Sequence, residues 1–187
     1  MTVSPVRCAV LALALAASGT AGPACAAVVE AGADGFTVRE TAHVSAPADR
    51  VYAQLVHPER WWSAEHTFSH SAANLSLEAR AGGCYCERLP RGGSVLHMTV
   101  VAAFPGERLI LRGALGPLLA QGVDGVLSLD LSAQQTGTDV TFTYTVGGHL
   151  TLAGGFSDWA PKVDGVLAEQ LTRFARLIET GAPDARR

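Results

Sequence analysis

Between Trp159 and Ile178, the apolar residues Trp159, Val163, Val166, Leu167, Leu171, Phe174, Leu177 and Ile178 recur at spacings of three and four. This is the signature of a long helix with one apolar face. Such a stripe needs an equally long apolar surface to cover it, and the chain supplies one just upstream. Over 139–147, Val140, Phe142, Tyr144 and Val146 alternate with Thr141, Thr143 and Thr145, which puts a continuous apolar row on one face of a strand. Further strand candidates precede it at 75–79, 83–89, 94–104, 108–114 and 122–131, divided by Gly, Pro or polar turns such as 81–83, 90–93, 105–106 and 116–117. Short successive strands predict an antiparallel meander. In the terminal helix, Asp158 is the expected cap, Pro161 is expected in the first turn, and Gly181 is the stop.

The N-terminal part adds one strand over 36–44. A helix of about three turns follows, with Ser45 as cap and Val51, Tyr52, Leu55 and Val56 as its stripe. Residues 58–62 read as a closing turn. No repeat or long linker interrupts 36–181, so these residues form one domain, with 27–35 a flexible lead-in and 182–187 a C-terminal tail. Residues 1–26 have a different character. Arg7 precedes the apolar run 8–17 and the small triplet Ala24-Cys25-Ala26, the layout of a signal peptide cut after Ala26. A run of about ten apolar residues is half of what a bilayer span requires. The expected destination is therefore periplasmic or secreted, with no membrane span in the mature chain. A lipid on Cys25 is disfavoured by Gly22 and Pro23 just before it.

A formal charge of −3 provides no counterion-release drive toward nucleic acid. Removal of Cys8 and Cys25 with the leader leaves only Cys84 and Cys86, too few for a disulfide-stapled scaffold.

The order of motifs carries a resemblance: Ser45-Ala-Pro47 before the first helix, Trp61-Trp62 after it, Gly82-Gly83 opening a strand, 105–109 (Pro-Gly-Glu-Arg-Leu) between strands, and 139–144 late in the sheet. Over about 37–180 the chain resembles the SRPBCC superfamily, the START-like, Bet v 1-like, polyketide cyclase and lipid transport proteins. The resemblance implies an α+β helix-grip fold, a curved antiparallel sheet wrapped around a long C-terminal helix. It also implies a cavity between the two that holds an apolar or amphipathic small molecule.

No Gly-x-Ser-x-Gly elbow, phosphate-cradling loop or His-Glu-x-x-His motif is present. His66 and His70 stand at i and i+4, but the residues between them favour a loop over a metal-binding helix. Cys84 and Cys86 share one face of a strand with Cα atoms about 6.6 Å apart at ~3.3 Å per residue, which is at the edge of disulfide geometry. Plain packing, a labile disulfide and a metal or catalytic thiol all remain open for them. If the hairpin at 90–93 pairs positions summing to 183, Cys86 faces His97 and a Cys84, Cys86, His97 cluster results; a sum of 184 puts His97 opposite Glu87 instead. No metal or other cofactor is called for. Glu87 reads either as a surface carboxylate or, facing the cavity beside Tyr85 and Met98, as a group with a raised pKa that serves as an acid or a polar handle for ligand.

These readings point to an exported binding protein for an apolar or amphipathic small molecule, with Trp61, Tyr85, Glu87, Met98, Phe142, Tyr144, Trp159 and Phe174 as its ligand site. The alternative is a cyclase or dehydratase that uses Glu87 or His97 for acid-base work.

Overall fold

The computed structural model describes residues 25–185, with the side chains of 25 and 26 left aside. The leader reading falls, up to residue 24, outside the described residues. Strands β1 (Cys25–Ala31) and β2 (Gly35–Val44) precede helix α1 (Ala48–Leu55). After three short 3₁₀ turns come β3 (Leu75–Leu77), β4 (Cys84–Arg88), β5 (Ser94–Phe104), β6 (Arg108–Gly113), β7 (Gly122–Gln134) and β8 (Gly137–His149), and helix α2 (Gly155–Thr180) closes the chain. The strands form one eight-stranded sheet in the order β1-β2-β8-β7-β6-β5-β4-β3. Every neighbouring pair is antiparallel. This is the expected α+β helix-grip architecture.

The alternation seen in the sequence sets which face is buried. Val140, Phe142, Tyr144 and Val146 of β8 are buried, and Leu127, Leu129 and Leu131 of β7 lie on the same face. Phe156, Ala160, Leu167, Leu171, Phe174 and Leu177 of α2 pack against them in one continuous core. Gly125 leaves room for this packing, since a Cβ there would stand 2.6 Å from the Tyr144 ring. The Tyr144 hydroxyl reaches past it to donate to the Gly113 carbonyl and accept from the Leu115 N–H.

Several boundaries differ from expectation. The segment read as a loose lead-in from residue 27 is strand as far as Ala31, pairing with β2 as an added edge. It lacks alternation because residues 27–31 are exposed on both faces, so the pairing, rather than a buried face, holds it in place. Helix α1 is capped by Pro47 without a side-chain bond, and Ser45 instead donates its backbone N–H to Glu179. Helix α2 begins at Gly155 behind left-handed Gly154, so Asp158 lies in the first turn and Pro161 inside the helix. The missing Pro161 N–H leaves the carbonyl four residues earlier, at exposed Ser157, to solvent. Gly181 ends α2 as expected, in the left-handed region with φ 79° and its N–H on the Leu177 carbonyl. No helix among the described residues is long and apolar enough to cross a membrane.

Candidate functional site

A cavity of about 430 Å³ opens between α2 and one end of the sheet. Four pieces of chain build it. Tyr85 and His97 come from β4 and β5; Leu115–Leu118 come from the turn after β6; Trp159, Lys162, Val163, Val166 and Leu167 come from α2; and Trp62, Glu65, His66, Thr67 and Phe68 come from the loop after α1. That loop is pinned to the helix from beneath. The buried Gln170 side chain accepts from the Ser63 N–H, and Arg173 donates to the Trp61 carbonyl. Trp62 donates its indole N–H to the His66 carbonyl, which fixes the ring against Tyr85 at a centroid distance of 5.9 Å.

His97 enters this wall through a β-bulge. Tyr85 pairs with Met98 at the anticipated sum of 183, but Cys86 pairs with Leu96, so His97 is the extra residue on β5. The bulge puts His97 and Met98, neighbours in sequence, both on the buried face and leaves Leu96 exposed. Neither simple register holds, and the Cys84, Cys86, His97 cluster does not form. The cysteines point away from the buried Tyr85 and Glu87 and are joined to each other, their Cα atoms 5.4 Å apart. Among the described residues no three His, Cys, Asp or Glu side chains are grouped as metal ligands.

Behind His97 lies Glu87, and its role differs from the expected handle. The carboxylate is enclosed by the Phe68 N–H at 3.1 Å, the Ser69 N–H at 2.5 Å and His97 Nε2 at 3.0 Å. Burial alone would raise its pKa, but hydrogen bonds from Ser69, Phe68 and His97 outweigh that and hold it below the ordinary carboxylate value. Glu87 is therefore ionised and sits behind the wall. Burial likewise lowers the His97 pKa, with the Glu87 bond and charge only partly restoring it. The imidazole is neutral near pH 7. Because ionised Glu87 can only accept, the proton resides on Nε2 and Nδ1 keeps its lone pair; Nδ1 is buried without a partner among the described residues. Tyr85 and Phe68 flank the ring at centroid distances of 5.2 and 5.8 Å. Burial and then the Glu87 charge push the Tyr85 phenol up, so it stays protonated.

Of the eight residues expected to contact ligand, Tyr85 and Trp159 line the cavity. Trp61 instead packs on Phe142 and Phe174 at centroid distances of 6.0 and 5.3 Å, while Met98 and Tyr144 are core residues behind the wall. Position on the apolar face did not distinguish wall from core. Trp62 rather than Trp61 faces the opening, and Phe68 and Lys162 escaped notice. Lys162 carried a signal nonetheless, as the single lysine in the sequence. Its ammonium lies 4.7 Å from the Trp159 ring centroid at the cavity mouth. His66 pairs with Glu169 across the rim, and His70 is not a lining residue.

No curated protein matches the chain. Among solved structures it is similar to an uncharacterized protein from Rhizobium leguminosarum, with 22% identity, TM-score 0.54 and coverage of 76% of this chain and 95% of that one. It is also similar to a conserved protein of unknown function from Enterococcus faecalis, with 15% identity, TM-score 0.59 and coverage of 87% and 80%. A third similarity is to the di-domain ARO/CYC StfQ from the steffimycin biosynthetic pathway, at 15% identity and TM-score 0.53 over 79% of this chain and 51% of that one. At these identities the likeness speaks to the fold. The family model for polyketide cyclase / dehydrase and lipid transport matches residues 35–179, from the start of β2 to the end of α2, and the chain belongs to that family.

Proposed function

We propose that the protein binds an amphipathic small molecule in the cavity between sheet and helix. The carrying observation is a mostly apolar space of about 430 Å³ whose inner wall holds one neutral, half-satisfied imidazole, a volume typical of small-molecule sites. Trp62, Tyr85, Leu118 and Leu167 receive the apolar body of the ligand. The Lys162 ammonium at the mouth favours an anionic head such as a carboxylate. We further propose that residues 1–26 direct export and are removed after Ala26.

A second reading has its own support. Ionised Glu87 fixes the tautomer and orientation of His97, a lining residue whose Nδ1 keeps its lone pair and would act as the base once a turn of the ring presents that enclosed atom to ligand. Proton abstraction next to a carbonyl, the step that opens a cyclisation or dehydration, is the chemistry such a base performs. His97 is then the catalytic residue and Glu87 the residue that positions it.

Fluorescence titration with an apolar probe tests the binding reading, alongside circular dichroism to monitor folding. The wild type should take up the probe, and Val166→Trp, which fills the cavity, should weaken uptake at least ten-fold while remaining folded. A folded wild type that binds no apolar probe refutes it. Turnover of a retained ligand that His97→Gln abolishes without loss of binding establishes the enzyme reading.

A further inference from the structure

Away from the cavity, one buried acidic group lacks a counterpart. Glu40 stands on the inward face of β2 between Val38 and Ala42, with none of its surface exposed to solvent. Among the described residues neither of its carboxyl oxygens makes a well-formed hydrogen bond, and on α2 Asp164 Oδ1 is likewise buried and unpartnered. Burial, then the adjacent Asp164 carboxyl, push the Glu40 pKa up to about 8, while the Ala27 backbone N–H works in the opposite direction. The nearby side-chain cations are committed elsewhere. Arg39 and His43 occupy the outer face of β2, on Thr143 and Asp139, and Lys162 lies over Trp159. Opposite Glu40 on β8 stands Phe142. Two adjacent carboxyl groups, Glu40 fully buried and Asp164 with its Oδ1 enclosed, share at most one proton between them, and the negative charge that remains calls for a cation.

The sequence places one beside them. Ala27, whose N–H meets Glu40, is the residue at which leader removal would start the mature chain. Hydrolysis of the Ala26–Ala27 peptide bond by a leader peptidase consumes one water, leaves a carboxylate on Ala26 and turns the Ala27 amide nitrogen into a primary ammonium. We propose that this α-ammonium is the counter-ion of Glu40 and Asp164, so that removal of the leader completes the contact of α2 with β1 and β2. The proposal rests on the export reading above. Its geometry is given by the register: Ala26 pairs with Glu40 and Ala27 with Arg39, so the cut falls where β1 crosses Glu40, and Ala27, Val28, Glu30 and Ala31 keep their β2 partners afterwards. An ammonium brings three donors to a place where the amide offered one.

The test expresses the full chain with its leader in a bacterial secretory host, takes the intact mass, and then measures acylation of the folded protein at neutral pH. With a single lysine in the sequence, the only primary amines are Lys162 and the new terminus, and mass spectrometry separates them. Each unit by which the carboxyl pair raises the amine pKa lowers its reactive fraction about ten-fold. The Ala27 amine should react at least ten-fold more slowly than in the denatured chain, and Glu40→Gln or Asp164→Asn, each checked for folding by circular dichroism, should restore most of the rate. A retained leader or a diacylglycerol on Cys25 overturns the proposal through the export reading. A chain that begins at Ala27 and whose amine reacts at the denatured rate while folded overturns the ion pair itself.

Discussion

Replacing Glu87 with alanine removes the acceptor for three donors at once. His97 Nε2–H is buried, and its loss of a partner costs about 1–3 kcal/mol. The Phe68 and Ser69 N–H groups sit on a loop that water can reach, at about 0.5–1.5 kcal/mol each. A total near 4 kcal/mol corresponds to a fall in Tm of roughly 8–16 °C for a chain of this size. The pH dependence has a definite sign. A carboxylate held below its ordinary value stabilises the fold above the unfolded pKa, and that stabilisation fades as pH falls through the lower folded value. The gap between wild type and Glu87→Ala should therefore be full at pH 7 and close progressively in acid. His97, with a depressed pKa, adds its own loss of stability in the wild type below about pH 6.5, where the unfolded chain takes up the proton. Glu87→Gln should cost about half as much, because the amide oxygen still accepts from the loop. Its NH2 group, however, now donates to His97 Nε2 and moves the ring proton to Nδ1. Thermal unfolding followed by circular dichroism across pH, with nitrogen chemical shifts of the imidazole to read the tautomer, measures all of this. A Glu87→Ala variant within 1 kcal/mol of wild type at neutral pH, or a gap that does not change with acid, would falsify the caged-carboxylate argument.

Phe142→Ala should lower stability by about 3–5 kcal/mol through the cavity it leaves beside Trp61, with probe affinity per folded molecule unchanged; a selective loss of affinity in calorimetric titration would return Phe142 to the ligand site. The bond between Cys84 and Cys86 closes a very short loop and constrains the unfolded chain little, so the double change to Ser should shift Tm by only a few degrees in a melting experiment. Lys162→Gln should weaken binding of long-chain carboxylates about ten-fold and leave neutral analogues unaffected, since only the former lose a charge partner; equal losses for both would remove the anionic head from the proposal. Gln170→Ala frees the Ser63 end of the loop and should raise amide hydrogen exchange across residues 62–69 well above that of the sheet.

The strands and α2 could be read from the chain because alternation and three-four spacing are local properties, and the apolar rows at 140–146 and 159–178 describe the two faces that meet. What escaped depends on contacts distant in sequence. The Glu87 cage is closed by N–H groups of residues 68 and 69, and no pattern around 84–88 anticipates a loop arriving there, so a carboxyl expected either to lie on the surface or to face the cavity with a raised pKa is instead buried and held low. The bulge at His97 is decided by how β5 fits both β4 and β6, whereas a hairpin considered alone permits only uniform registers. Among the apolar residues, wall and core are chemically alike. Trp61 and Trp62 differ by one position, and their separation reflects the hydrogen bonds that pin the loop to α2.

Trp62, Tyr85 and Leu167 have space on both sides. Beyond them lies a small apolar void of about 20 Å³, bounded further by side chains such as Leu111, Leu129 and Phe142. In the proposed binding role those three side chains form a floor between the two spaces, and the length of guest accepted would be set apart from the head group met at the entrance. A smaller residue at position 85 would lower the floor into the void without disturbing Lys162, so the depth of the well and the charge at its mouth answer to different positions in the chain.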